Sequence, residues 1–265
     1  MLKGDCLQDK PLRIIITCEH GGNSFPKQFS ALFHDKKELL ESHRGHDPGA
    51  LGLAKKLAQG LKASLFFSKT TRLLIDMNRS PNNPSRFSEI TSRLSAPEKA
   101  IIQELCYQHY RAGVESELAN IIRKGGLTLH VSVHTFTPVL RGKVRSADIG
   151  LLYDPSRKAE VSFCILWQDA FGRLDQKLRT RRNYPYRGTS DGFTAYLRKS
   201  FSEDYYLGIE LEVNQRYLSG DRRTRLYLQH LILKTLRMTI CIKGKAGRQF
   251  PAKAQRSQRN QILLP

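Results

Sequence analysis

Two histidines in this sequence each follow an apolar strand, at the point where the strand would end. His20 comes after the β-branched run 12–17 and before two glycines, which allow the backbone to come close to a bound group. His134 closes an alternating strand over 127–134, and Pro138 ends the strand pairing shortly afterwards. Because imidazole nitrogens are common metal ligands, the two strand ends predict a metal site.

Carboxylates, cations and amides at other strand and helix ends could complete such a site. Two histidines and one carboxylate leave a position for water in catalytic zinc sites, and a separate glutamate can serve as general base. Besides the histidines, the candidates are Asn23, Asp47, Arg72, Asp76, Asn78, Arg79, Thr135, Asp148, Glu210, Glu212 and Asn214. Each has a simpler explanation alone: a lone histidine is usually a core or loop residue, and Asp47 would be a helix N-cap.

Strands and helices alternate along the chain. Helices are predicted over 48–61, 96–124, 158–171 and 222–238, the first with Asp47 as N-cap and Pro48 at its first position. Further strands are predicted over 63–68, 149–153 and 207–213, with another extended segment over 72–79. This alternation predicts an α/β fold with a mixed, mostly parallel sheet flanked by helices on both faces. Sites in such folds lie at the carboxyl ends of the strands.

Composition predicts one globular domain followed by a basic tail. Of the 265 residues 40% are apolar, and neither a run of eighteen apolar residues nor a secretory signal occurs. We therefore expect a cytoplasmic protein without a membrane span, with one domain over 1–240 and a flexible tail over 241–265. Five widely spaced cysteines without a C-x-x-C pair argue against a disulfide framework or a zinc ribbon.

The net charge of +20 supports an alternative function. Basic residues are concentrated in the tail and over 173–187, where tyrosines alternate with arginines as in surfaces that stack on bases. A protein that binds nucleic acid or an anionic surface on a degenerate enzyme fold is therefore the alternative. A solvated basic loop explains the 173–187 cluster more simply, so nucleic acid is not the favoured partner.

Five ordered motifs resemble the N-formylglutamate amidohydrolase family over roughly residues 12–220. They lie at 19–23, 45–50, 71–79, 134–138 and 212–214. That family is similar in fold to the zinc carboxypeptidases and to the acylases that act on acylated aspartate, a phosphorylase/hydrolase-like fold. The resemblance implies a zinc amidohydrolase that cleaves the amide of a small N-acyl amino acid such as N-formylglutamate.

The resemblance also implies which residues bind the zinc ion. His20 and His134 match the two histidine ligands. Asn23 stands where zinc carboxypeptidases have a glutamate ligand, and neutral asparagine is a poor zinc ligand. Asp47 is therefore preferred as the carboxylate ligand, and Glu19 is the alternative.

Other roles follow from the same resemblance. Arg72 would polarise the scissile carbonyl, and Asn78 and Arg79 would bind the substrate carboxylate, for which a guanidinium is well shaped. Thr135 and Tyr186 are expected to contact the substrate.

The resemblance implies that Glu212 is the general base. Glu210 lies on the same strand face and is the alternative. Asp76 is a candidate strand residue that would orient the neighbouring groups. A pseudoenzyme with a structural role is a third reading of the chain, which the absence of bound metal would favour.

Overall fold

The computed structural model describes residues 10–246, which form a six-stranded sheet and a separate hairpin with helices on both sides. The strands are β1 (Leu12–Cys18), β2 (Ser64–Phe67), β3 (Leu127–Phe136), β4 (Val139–Leu140), β5 (Lys143–Val144), β6 (Ile149–Leu152), β7 (Thr180–Arg182) and β8 (Tyr206–Asn214). The sheet order is β2-β1-β3-β8-β6-β7, and β4 pairs with β5. All neighbours in the sheet are parallel except β6 and β8, so the predicted mixed, mostly parallel sheet is confirmed.

Helices cover both faces of this sheet, as predicted. They are α1 (Lys37–Glu41), α2 (Ala50–Leu61), α3 (Ala96–Ile102), α4 (His109–Arg123), α5 (Lys158–Leu174), α6 (Phe193–Ser200), α7 (Gln215–Leu218) and α8 (Arg222–Ala246), with 3-10 helices at Lys27–Phe33 and Pro84–Arg86 and a π-helix at Gln103–Gln108. One apolar core, around Val131 and Trp167, lies under α2, α5 and α8. The other, around Ile15 and Phe193, lies under α4 and α6.

Strand β3 lies at the centre of the sheet and brings the candidate residues together. It pairs in parallel with β1 on one side and with β8 on the other. The register places His134 opposite Glu212. Because in-register residues of parallel strands point to the same face, these two side chains lie side by side.

The start of α2 differs from the prediction. The helix begins at Ala50 with Gly49 as N-cap at φ +83°, so the prediction that Asp47 caps this helix is wrong. A Cβ at Gly49 would lie 2.6 Å from the Cβ of Leu218, and a positive φ also favours glycine at this position. Asp47 therefore precedes the helix, and its carboxylate is directed to other partners.

Segment 72–79 also differs, because it forms turns and not a strand. Asp76 is therefore not a strand residue, although it does contact a histidine, as described below. The predicted long helix over 96–124 is present as α3, the π-helix and α4 in succession, and it starts with a capping box between Ser95 and Glu98.

The last helix continues past the predicted domain boundary at residue 240. Helix α8 ends at Ala246. The rest of the predicted tail, 247–265, lies outside the described residues, as do residues 1–9. Within residues 10–246, no helix is both long enough and apolar enough to cross a membrane.

Candidate active site

His20, Asp47 and His134 converge beyond the carboxyl ends of β1 and β3. One ligand atom from each lies within 4.8 Å of the others, and all three residues are buried. Oδ2 of Asp47 lies 2.9 Å from Nδ1 of His134 and 3.6 Å from Nδ1 of His20. The buried Nδ1 of His20 has no hydrogen-bond partner among the described residues. Two imidazole nitrogens and one carboxylate oxygen that face each other are a donor set that fits zinc.

Asp76 contacts the other nitrogen of the His20 ring. Its Oδ1 lies 2.7 Å from Nε2 of His20 and also accepts a hydrogen bond from the backbone N–H of Asn78. Burial alone would raise the pKa of Asp76, but His20 and Arg72 outweigh burial and hold it below its usual range. The ionised carboxylate fixes the ring and leaves Nδ1 to face Asp47, as outer carboxylates do for metal-binding histidines.

Glu19 contacts Nε2 of His134, as Asp76 contacts Nε2 of His20. Its Oε2 lies 3.2 Å from Nε2 of His134 and accepts a hydrogen bond from the Ser132 hydroxyl at 2.6 Å. Its Oε1 accepts a hydrogen bond from the hydroxyl of Tyr110 at 2.9 Å. Of the two carboxylates considered as ligands, Asp47 thus faces the Nδ1 atoms and Glu19 faces the opposite side of one ring.

Tyr110 was not predicted as a site residue. It lies on α4, 91 residues from Glu19 in the sequence. No motif or spacing marks it, because its contact with the site exists only through the packing of α4 against the sheet.

The electrostatics of this cluster favour a positive charge. Burial would raise the pKa of Asp47, but Arg72, which donates a hydrogen bond to Oδ1, and the histidines hold it well below its usual range. Burial lowers the pKa of His134, yet its hydrogen bonds with Asp47 and Glu19 outweigh burial and raise it well above the usual value. Ionised carboxylates on both sides of the ring therefore stabilise a cation.

Glu212 lies beside His134 on the neighbouring strand β8. Burial raises the pKa of Glu212 to about 8; His134 opposes this shift and Asp47 adds to it. Its Oε2 is buried, and in the described part of the chain no hydrogen-bond partner reaches it. By contrast, Glu210 accepts a hydrogen bond from the Thr194 hydroxyl. Glu212 therefore combines a raised pKa with a buried carboxylate oxygen that the described residues leave without a hydrogen bond.

Residues 76–79, the last part of the turn segment 72–79, carry predicted substrate-binding side chains that lie close to the histidines. Nδ2 of Asn78 lies 3.4 Å from Nε2 of His134, and Oδ1 of Asn78 accepts a hydrogen bond from the backbone N–H of Phe193 at 2.6 Å. Nη1 of Arg79 donates to the carbonyl oxygen of Asp191 at 2.8 Å. The predicted Asn-Arg pair therefore lies next to the cluster and is held by the start of α6.

The two remaining predicted residues lie at different depths. The backbone N–H of Thr135 donates to Oδ2 of Asp47 at 3.3 Å, and its hydroxyl donates to the carbonyl oxygen of Pro48 at 3.2 Å. Tyr186 is 46% exposed, and its hydroxyl accepts a hydrogen bond from Arg145. Thr135 supports the Asp47 segment and Tyr186 lies at the surface, so substrate contact by either residue stays a prediction.

The family model described as N-formylglutamate amidohydrolase matches residues 12–219. The chain belongs to the N-formylglutamate amidohydrolase family. This match confirms the resemblance that the five sequence motifs carry, over nearly the same residues. No curated protein sequence matches the chain.

Solved structures similar to this member of the N-formylglutamate amidohydrolase family share its fold. The gene product Atu2144 from Agrobacterium tumefaciens is 26% identical, with 87% of this chain and 91% of that chain covered and a TM-score of 0.73. The N-formylglutamate amidohydrolase from Ralstonia eutropha JMP134 is 15% identical, with coverages of 88% and 95% and a TM-score of 0.66. The family assignment makes this chain a hydrolase of the amidohydrolase class that acts on N-acyl amino acids.

Proposed function

We propose that the protein is a zinc-dependent amidohydrolase that releases the amino acid from an N-acyl amino acid such as N-formylglutamate. The observation that carries the proposal is the position of one Asp47 oxygen between the Nδ1 atoms of His20 and His134. A separate carboxylate behind each ring supports it, since metal-binding histidines are oriented in this way. These three residues would hold zinc, which supplies Lewis-acid chemistry and lowers the pKa of water toward about 7.

Glu212 transfers the proton in this proposal. Oε2 of Glu212 accepts a proton from the attacking water as the water oxygen bonds to the acyl carbon. The same oxygen then donates the proton to the amide nitrogen as the C–N bond breaks, which gives a carboxylic acid and a free amino acid. Burial raises the pKa of this carboxyl group, which makes its ionised form a stronger base toward the attacking water.

Arginines and an amide position the substrate. Arg72, beside Asp47, stabilises the negative charge that develops on the acyl oxygen. Asn78 and Arg79 bind the substrate carboxylate, for which a guanidinium offers paired N–H groups in one plane. These placements support a substrate whose amino-acid part carries a carboxylate.

Metal content and hydrolysis together test the proposed function. We expect purified protein to contain zinc, to release amines from a panel of N-formyl and N-acetyl amino acids, and to lose activity with a chelator until zinc is restored. Amine release is followed with a fluorescent amine reagent. A protein without zinc that hydrolyses none of these compounds would contradict the proposal.

The base is tested by comparing Glu212→Gln with Glu210→Gln, two isosteric changes on one strand face. We expect Glu212→Gln to keep zinc and to lower kcat by at least about 10²-fold, because the amide accepts no proton. Glu210→Gln should keep most of the turnover. Steady-state kinetics and elemental analysis measure both effects, and the opposite ranking of the two variants would assign the base to Glu210.

The structure gives little support to nucleic-acid binding, the alternative. Within the basic 173–187 cluster, the Arg181 guanidinium lies 4.6 Å from the ring centroid of Tyr184, and Arg145 lies 5.0 Å from that of Tyr186. These arginines cover ring faces on which bases would stack. The alternative function would instead show an affinity for single-stranded DNA that falls steeply as the salt concentration rises. Neither folding nor DNA binding would then need zinc or enzymatic activity.

A further inference from the structure

Arg111 on α4 is a buried cation whose hydrogen bonds go to backbone carbonyl groups. The residue is 3% exposed, and its Nη1 donates to the carbonyl oxygens of Met77 and Arg79, each at 3.2 Å. Its Cζ lies 4.0 Å from the ring centroid of Phe193 and 4.3 Å from that of Tyr196. Nη2 is buried and finds no hydrogen-bond partner within residues 10–246.

A cation in this setting needs an explanation beyond packing. Removing a guanidinium from water is unfavourable unless a partner group replaces the lost hydration. Aromatic faces and carbonyl oxygens replace part of it. An apolar side chain of similar length would fill the space between the rings of Phe193 and Tyr196 without this penalty. The hydrogen bonds that Arg111 donates are therefore the feature that distinguishes it from an apolar residue.

The carbonyl groups that Arg111 binds lie on either side of Asn78 in the sequence. The hydroxyl of Tyr107 also donates to the Arg79 carbonyl oxygen, at 2.6 Å. Tyr107 lies in the π-helix Gln103–Gln108, directly before α4. π-helical segments are frequent at functional sites, and here the π-helix supplies one donor, Tyr107, to the same carbonyl oxygen that Arg111 of α4 binds.

The bound backbone belongs to the turn segment that carries Asn78 and Arg79. This segment has no strand or helix hydrogen bonds of its own to fix its backbone. Its backbone is held by local turn hydrogen bonds, such as that from the Arg79 N–H to the Asp76 carbonyl oxygen at 3.2 Å, and by the donors on α4 and the π-helix. A small displacement of such a segment would move both side chains away from the substrate carboxylate together.

We propose that Arg111, assisted by Tyr107, is a positioning residue that holds Asn78 and Arg79 in the geometry that binds the substrate carboxylate. The inference rests on the proposed function. It identifies Arg111 as a buried residue that strengthens the preference for substrates with a free carboxylate without touching the substrate.

The test compares an N-formyl amino acid with its carboxamide, which lacks the charged group that Arg79 would bind. In Arg111→Lys, KM for the acid should rise about 10-fold or more while kcat and the KM for the carboxamide change little, since misplaced binding groups weaken ground-state and transition-state binding together. Tyr107→Phe removes one donor and keeps the ring. It should shift the ratio of the two KM values in the same direction by a smaller factor.

Arg157→Lys is the matched control. Arg157 also donates to backbone carbonyl oxygens, those of Tyr206, Arg198 and Phe201, outside the site. This variant should lose stability in urea without a change in the acid-to-carboxamide ratio. Calorimetric binding of the acid to Glu212→Gln, with and without Arg111→Lys, measures the same effect in the absence of turnover.

The outcomes separate the two proposals. If the wild type hydrolyses the acid but Tyr107→Phe and Arg111→Lys keep its acid-to-carboxamide ratio, the positioning role is wrong and the proposed function stands. If Arg111→Lys does not fold, Tyr107→Phe decides alone. If the wild type hydrolyses neither compound, the proposed function fails, and the inference that depends on it fails with it.

Discussion

At the residue scale, the two histidines of the site present the same ring atom inward but are fixed by carboxylates of different origin. Asp76, on a turn, holds Nε2 of His20. Glu19, adjacent to His20 in the sequence, holds Nε2 of the other histidine, His134. The adjacent residues Glu19 and His20 therefore act on different rings. His20 is itself a member of the cluster, and Glu19 holds the ring of His134.

Asp76→Asn tests the support behind His20. The isosteric amide keeps the size of the side chain and loses its charge, so we expect zinc affinity to fall about 10–100-fold. Competition with a chromogenic chelator measures the change. Asp154→Asn is the control, because Asp154 accepts hydrogen bonds from Ser156 away from the site. Equal affinities for Asp76→Asn and the wild type would show that this carboxylate does not orient the ligand.

The sequence predicts part of the site at this scale. The motif series locates His20, Asp47, His134 and Glu212, and the structure brings all four together. The supporting contacts of Glu19 are not predictable from the same motifs. They depend on Tyr110 and Ser132, whose proximity arises from tertiary packing across long stretches of chain.

At the element scale, the position of Asp47 is set by the way α2 begins. Gly49 takes a positive φ that turns the chain between Asp47 and the helix, and it packs against Leu218 of α7. If Asp47 were the N-cap, its carboxylate would bind the helix N–H groups instead of facing His134. The unpredicted turn is thus what directs this carboxylate to the histidines.

Gly49→Ala tests this turn. A non-glycine residue at positive φ costs about 1–2 kcal/mol, and the contact with Leu218 adds to that cost, so we expect lower stability and weaker zinc binding. Urea unfolding and metal titration measure the two effects. Gly172→Ala on α5 is the control, since a Cβ there meets no atom within 4 Å and should be stabilising. Unchanged stability of Gly49→Ala would contradict the requirement for glycine.

Regular elements are predictable where apolar periodicity is strong. β1, β3 and β8 are found close to their predicted bounds because their buried runs are continuous. The turn segment 72–79 is wrongly predicted as extended, since its apolar residues Leu73, Leu74 and Ile75 are buried in a core without belonging to the sheet. The π-helix is likewise not indicated by periodicity, because it is a local widening of an otherwise helical segment.

At the scale of the whole molecule, the sheet separates two apolar cores, and polar side chains are buried within the core that contains Ile15 and Phe193. His130 is the clearest case: it is fully buried, with its ring nitrogens 2.8 Å from the hydroxyls of Thr17 and Tyr206. Burial lowers its pKa to about 4, with Glu19 opposing the shift. The folded protein therefore holds this histidine neutral at pH values at which the unfolded chain is protonated.

This difference makes stability depend on pH in a defined window. The stability that neutral His130 contributes is complete above about pH 6.5 and is lost as the pH falls toward about 4, at up to about 1.4 kcal/mol per pH unit. Urea unfolding across this window, with chelator present, should show a shallower decline for His130→Gln than for the wild type. His34→Gln, at an exposed position, should keep the wild-type slope. Parallel curves for all three proteins would contradict the low pKa.

The fold class is predictable at this scale from the alternation of strands and helices, whereas the order of the strands is not. Their order places β3 between β1 and β8, strands that lie far apart in the sequence. Loop lengths and apolar patterns permit several orders, and the choice is made by packing of the two cores as a whole.

That strand order determines when, during synthesis, the residues of the candidate site and the strand partners of β3 become available. A chain that grows from its amino terminus contains His20, Asp47 and His134 well before it contains Glu212, and until β8 is made one edge of β3 has no partner. A ribosome-bound intermediate of this length would hold these three residues beside an unpaired strand edge, and an unpaired edge promotes association with other chains. Completion of β8 pairs that edge and brings Glu212 beside His134, so assembly of the candidate site and protection from aggregation occur together.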